Sequence, residues 1–138
     1  KPVAPVLNRP IVARIAELLA KHGFTDVVTN LSYLPEQIRA VLGDGSEFGL
    51  RITYSEESEP LGTAGGVGKA RDFLAETESF LIISGDALTD IDLTDLIRFH
   101  KDRGALVTVC LKRVTNALEF GITIIDAVPT ARPSTSAT

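Results

Sequence analysis

Segments with helical spacing alternate with short apolar runs along the chain, and that alternation narrows the folds open to it. Ile11, Ile15, Leu18, Leu19 and His22 fall on one helical face, predicting a helix over Arg9–His22. Asn8 is placed to cap it, Pro10 suits its first turn, and Gly23 is a natural stop. Phe24–Thr29 then reads as a strand. Pro35–Leu42 reads as a short helix facing Ile38, Val41 and Leu42 inward, and Gly43-Asp44-Gly45 as a turn. Leu50–Tyr54 is the next expected strand. A third helix is expected over Ala64–Glu76, capped by Thr63, and a further strand over Phe80–Ser84. The last helix is Leu93–Arg103, capped by Asp92, favoured by Asp95 in its first turn and ended by Gly104. Leu106–Lys112 and Phe120–Ile125 complete the pattern as strands. The order αβαβαβαββ is that of an α/β sheet with crossover helices on both faces.

Composition bounds what such a sheet does. The 138 residues fit one domain, expected over residues 1–125, with an irregular Pro/Ser/Thr tail over 126–138. A net charge of −4 without a basic run argues against nucleic acid as a partner. No apolar stretch approaches membrane-spanning length. The single cysteine, Cys110, lies in an apolar stretch and is expected to be a buried thiol in a reducing, cytoplasmic setting. His22 and His100 have no partners at metal-ligand spacing. The chain opens at Lys1-Pro2 and contains no methionine, which reads as a fragment.

Three segments invite chemistry. Phe80-Leu-Ile-Ile-Ser-Gly-Asp86 is a continuous apolar run ending in a glycine and a carboxylate. Such a run suits a strand buried on both faces of a parallel sheet. Ligands of open α/β sheets bind outside the carboxyl ends of strands, so Asp86 would face the crevice and hold Mg²⁺ against substrate phosphates. An ordinary turn aspartate is the plainer alternative. The second segment is Gly62-Thr63-Ala64-Gly65-Gly66-Val67-Gly68-Lys69. It lacks both the Walker spacing and the G-x-G-x-x-G spacing. Its small residues either let a flat ring or an anion approach backbone N–H groups, or simply pack the helix entrance tightly. The third, Glu119-Phe120-Gly121, either presents backbone to a ligand or forms a strand-entry bulge. Asp92 and Asp95 are explained by capping and the helix dipole; Asp90 has no assignment.

Taken together, Lys1–Ile11, Asn30–Ile38, Gly43–Ser46, Glu59-Pro60-Leu61-Gly62-Thr63-Ala64-Gly65, Ser84-Gly85-Asp86 and Glu119-Phe120-Gly121 resemble the sugar-phosphate nucleotidylyltransferases. The look is closest to the branch that makes GDP-mannose and related nucleotide sugars. The resemblance implies a Rossmann-like three-layer αβα fold with a mostly parallel sheet, here truncated at both ends. It implies that a sugar 1-phosphate oxygen attacks the α-phosphate of a nucleoside triphosphate and that pyrophosphate leaves. Lys1 matches a phosphate-contacting lysine, and Gly62, Thr63 and Ala64 match the lining of the base pocket. Asp86 matches a Mg²⁺ ligand, and Gly121 matches a glycine that contacts the sugar. The family's Gly-rich phosphate loop would precede Lys1, and its sugar-holding segment and second metal-binding Asp would follow residue 125. The 138-residue chain alone is therefore expected to be inactive, and its open sheet edge to favour self-association or a homo-oligomer. A non-catalytic regulatory relative, binding nucleotide sugars or partner proteins, is the other reading. The base and the sugar stay open.

Overall fold

Leu7 and Asn8 both have positive φ, 50° and 59°. That is the backbone of a two-residue turn between antiparallel strands. It joins β1 (Pro5–Val6) to β2 (Arg9–Pro10), with Pro5 opposite Pro10 and Val6 opposite Arg9. The computed structural model describes residues 1–114 and Thr123. Apart from Thr123, the expected strand Phe120–Ile125, the Glu119–Gly121 segment and the tail lie outside the described residues. The chain divides into two compact units, Lys1–Asp90 and a second beginning at Ile91.

In the first unit, helix α1 (Ile11–Lys21) follows the hairpin directly. Asn8 does not cap it, because Asn8 is committed to the turn. The first N–H groups of α1 are taken instead by backbone: Ile11 N–H donates to the Ala4 carbonyl at 3.0 Å and Val12 N–H to the Pro2 carbonyl at 2.9 Å. Arg14 reaches back and donates to the Val6 carbonyl at 3.0 and 3.1 Å, pinning the hairpin. The helix buries Val12, Ala13, Ile15, Ala16 and Leu19, a stripe rotated from the expected one; Ile11, Leu18 and His22 are half-buried.

Strands β3 (Asp26–Leu31) and β4 (Arg51–Glu56) form a two-stranded parallel sheet, from Asp26 opposite Arg51 to Leu31 opposite Glu56. Each lies one or two residues beyond its expected start. Helix α2 (Pro35–Leu42) connects them, followed by a turn of 3₁₀ helix over Ser46–Phe48. Val12 and Ala16 of α1, Ile38 and Leu42 of α2, and Leu31 and Leu50 form one core cluster. Gly45 makes the return turn possible. Its φ is 91°, and a Cβ there would lie 2.7 Å from the Leu50 carbonyl oxygen and from the Ile52 side chain.

The expected third helix is broken. It starts one residue before Thr63, as α3 (Gly62–Lys69), with Leu61 at the cap position and no side-chain cap bond. Ala70 interrupts it, and α4 (Arg71–Leu74) is a single turn. Gly62, Gly65, Gly66 and Gly68 all lie within α3, and glycine is a poor helix former.

Two expected strands do not form. Phe80–Ser84 pairs with no strand among the described residues, and Ile82 is 57% exposed. Leu106–Lys112 is likewise unpaired, Leu106 is fully exposed, and Cys110 is exposed where a buried thiol was expected. An apolar run becomes a strand only when a neighbour takes up its N–H and C=O groups. In the second unit α5 (Leu93–Arg103) matches its expected limits. The Asp92 carboxylate accepts from the Asp95 N–H at 3.0 Å, and Gly104 ends the helix at a φ of 57°. His100 Nδ1 lies 2.9 Å from Thr108 Oγ1.

Candidate functional site at the strand ends

Because β3 and β4 are parallel, their carboxyl ends open on the same side. A cleft of about 290 Å³ lies there, walled by Leu31, Ser32 and Pro35 after β3, Glu56 and Glu57 at the end of β4, and Lys69 of α3. This is the edge of an α/β sheet at which ligands bind. Its charges are partnered. Arg39 of α2 pairs with Glu56, and its guanidinium lies 4.3 Å from the centre of the Tyr54 ring. The Lys69 ammonium donates to the Glu56 backbone carbonyl. Tyr54 donates its hydroxyl to the Gly43 carbonyl at 2.6 Å; burial raises its pKa, opposed by the nearby Arg39 charge.

The glycine-rich segment is fastened beside this cleft. Glu57 N–H donates to the Leu31 carbonyl at 2.7 Å, continuing the β3–β4 pairing. The Glu57 carboxylate accepts from the Leu61 N–H at 3.1 Å and from the Asn30 side-chain amide at 3.1 Å. The same Asn30 amide nitrogen donates to the Gly66 carbonyl at 3.0 Å. The glycines divide into two kinds. A Cβ on Gly66 would meet Glu57 Oε1 at 2.8 Å, and one on Gly65 would meet the Leu61 side chain at 2.8 Å. Both are close-packing glycines. A Cβ on Gly62 or Gly68 would meet nothing within 4 Å, so the backbone there faces open space.

The residues expected to carry chemistry are dispersed. Gly62, Thr63 and Ala64 form the exposed first turn of α3, where helix N–H groups have no intrahelical partner. Lys1 is exposed, and its carbonyl accepts from the Ala4 N–H at 2.9 Å. Asp86 does not follow a buried strand. It sits exposed in a turn, accepting from the Ser84 hydroxyl at 2.8 Å. None of these lines the cleft. Gly121 lies outside the described residues. Among the described residues no three His, Cys, Asp or Glu side chains gather to hold a metal ion. No helix among them is long and apolar enough to cross a membrane.

The sequence reading gave Asn30, Glu57 and Arg39 no role, and Lys69 none beyond the end of the glycine segment. Asn30 and Glu57 lie 27 residues apart, and only the β3–β4 register brings them together. A second groove, of about 520 Å³, runs between the hairpin and α1, past Val6, Leu7, Arg14, Leu18 and Leu88.

Comparison with known proteins adds the missing context. The nucleotidyl transferase family matches residues 1–133. A UTP–glucose-1-phosphate uridylyltransferase of Synechocystis is 36% identical over 138 aligned residues, covering 91% of this chain and 36% of that protein. A mannose-1-phosphate guanyltransferase beta-B of Xenopus laevis is 34% identical, covering 92% of this chain and 36% of its own length. A mannose-1-phosphate guanyltransferase of Schizosaccharomyces pombe is 36% identical, with 90% and 35% covered. The chain thus spans about a third of the length of these curated relatives.

Proposed function

The chain belongs to the nucleotidyl transferase family, and from that membership we propose that the whole protein transfers a nucleotidyl group from a nucleoside triphosphate to a sugar 1-phosphate, releasing pyrophosphate. The observation that carries this reading is the glycine-rich turn Gly62–Ala64 beside a cleft at the carboxyl ends of two parallel strands. Its open backbone suits a flat base, and its first-turn N–H groups suit an acceptor on that base. We read β3, α2 and β4 as one unit of a larger Rossmann-like, three-layer, mostly parallel sheet, with residues 1–125 belonging to that domain. The compartment we assign is the cytoplasm.

The chemistry asks the protein for positioning and charge neutralisation more than covalent participation. The sugar-phosphate oxygen forms a bond to the α-phosphorus while the bond to the pyrophosphate oxygen breaks. Lys1 supplies positive charge to phosphate, Gly62, Thr63 and Ala64 hold the base, and Gly121 meets the sugar. A single exposed carboxylate at Asp86 fits Mg²⁺, which is bound through one or two carboxylates together with substrate phosphates. When bound, Mg²⁺ neutralises charge on those phosphates. Asp86 then serves as its ligand, with the Ser84 hydroxyl orienting the carboxylate.

The test is pyrophosphate release by the full-length protein with Mg²⁺ across the common triphosphates and sugar 1-phosphates. Turnover with at least one pair is expected, and Asp86→Asn should lower it about 100-fold, equivalent to about 2.7 kcal/mol. No turnover with any pair overturns the activity. Normal Mg²⁺-dependent turnover in the variant removes Asp86 from it.

A further inference from the structure

We propose that Asn30 and Glu57 are positioning residues that clamp both ends of the Leu61–Gly66 segment in the shape that receives the nucleotide, an inference that rests on the function proposed above. One carboxylate and one amide account for the whole clamp. Glu57 accepts from the Leu61 N–H at the front of the segment, and Asn30 donates to the Gly66 carbonyl at its back. The two side chains are joined by the 3.1 Å bond between them. Both partners of the Asn30 nitrogen, a carboxylate and a carbonyl, are acceptors only, so the amide is locked with its NH₂ toward them. The Gly66 surface is closed around this pair, since a Cβ there would lie 2.8 Å from Glu57 Oε1 and 3.1 Å from Asn30 Nδ2. Asn30 sits at the carboxyl end of β3 and Glu57 just past β4, so the clamp ties the segment to the sheet itself. The turn Gly62–Ala64 between the clamped ends, where a Cβ on Gly62 would meet nothing, is left facing outward. Neither Asn30 nor Glu57 needs to touch the nucleotide for this to set its affinity.

Asn30→Asp keeps the shape but replaces the donor with a second carboxylate against Glu57 and the Gly66 carbonyl. In the full-length protein it should raise the KM for the nucleoside triphosphate about ten-fold, the equivalent of one charge-assisted hydrogen bond. The KM for the sugar 1-phosphate should change little. Amide hydrogen exchange over Leu61–Val67 should accelerate by a similar factor. Adding Glu57→Gln to Asn30→Asp removes the like charge and supplies a donor to the carboxylate at position 30, but leaves the Gly66 carbonyl without its donor, so it should recover only part of the lost affinity. Glu57→Gln alone gives a second reading should Asn30→Asp fold poorly, because its NH₂ only donates and its one amide oxygen can replace only one of the two carboxylate oxygens that accept from Leu61 and Asn30. Wild-type exchange and wild-type KM in both single variants overturn the clamp. So does an equal rise in both KM values with a lowered Tm, which marks a merely structural pair. If the wild-type protein turns over no substrate pair, the proposed activity fails and hydrogen exchange alone decides the clamp.

Discussion

Strand β3 and the segment Phe80–Ser84 are both short and apolar at their centres, yet one is paired along its length and the other along none of it. Asp26 to Leu31 lie opposite Arg51 to Glu56, and Leu31 is 1% exposed. Phe80–Ser84 has no strand neighbour among the described residues, and Phe80 is 50% exposed. The difference lies in what each needs from its surroundings. β3 needs one partner strand and one covering layer, and α1, α2 and β4 supply both within a short stretch of chain. A run that is apolar on both faces needs strands on either side and layers above and below. The less local a segment's requirements, the less its own residues decide its state.

The comparison breaks most visibly at the two leucine-type positions. In the 138-residue chain Leu31→Ala should cost ~2–5 kcal/mol, the usual loss for a fully buried leucine. Ile82→Ala should cost less than about 1 kcal/mol, since a side chain already in water has little burial to lose. Urea denaturation of both variants checks this. Equal costs would mean that Ile82 has cover comparable to that of Leu31. In a chain as long as the relatives, where the proposed sheet supplies neighbours, the Ile82 cost should rise toward the Leu31 value.

Gly45→Ala sharpens the paired side of the comparison. The positive φ and the 2.7 Å approach to the Leu50 carbonyl both resist a Cβ, so ~2–4 kcal/mol should be lost by the same measurement. A neutral outcome would show that the turn into β4 adapts easily.

Much of this contrast follows from how far each signal reaches along the chain. Helix α5 is legible because its cap, its acidic first turn and its terminal glycine are all local, and α2 because Pro35 and Gly43 bracket it. Asn8 misleads because an asparagine suits a helix cap and a positive-φ turn alike; the Pro2 and Ala4 carbonyls then satisfy the helix in its place. Composition leaves the glycine cluster undecided between ligand approach and packing, and the structure assigns Gly65 and Gly66 to packing. The Asn30–Glu57 pair leaves no local trace, since it exists only once the parallel register is formed. Asp86 shows the same limit, for its reading depended on a strand that does not form here.

Smaller effects separate the glycines of α3. Gly68→Ala should stabilise the chain by ~0.5–1 kcal/mol, because the new methyl meets nothing and the helix gains propensity. Gly66→Ala should destabilise it, because the methyl enters the Asn30–Glu57 bond. Thermal melts of the pair read the sign directly; the same sign in both would erase the distinction drawn between packed and open glycines.

The smallest effect is at the amino-terminal ends of β3 and β4. The Thr25 hydroxyl, and then the Arg51 guanidinium, hold the Asp26 carboxyl below its ordinary 3.8. A depressed folded value means that this contribution is complete above 3.8 and is lost as pH falls through the lower folded value. Wild type should therefore lose stability relative to Asp26→Asn as the pH falls through 3.8 and below. Parallel pH profiles of their urea midpoints would contradict a lowered Asp26.

The most direct measurement is a titration of nucleoside triphosphate into the isotope-labelled full-length protein, followed at its backbone amides. The amides of Leu61–Val67 and those of Ser32, Glu57 and Lys69 around the cleft should shift first and most. Shifts confined to the groove between the hairpin and α1, with Leu61–Val67 unmoved, would contradict a nucleotide site at the carboxyl ends of β3 and β4.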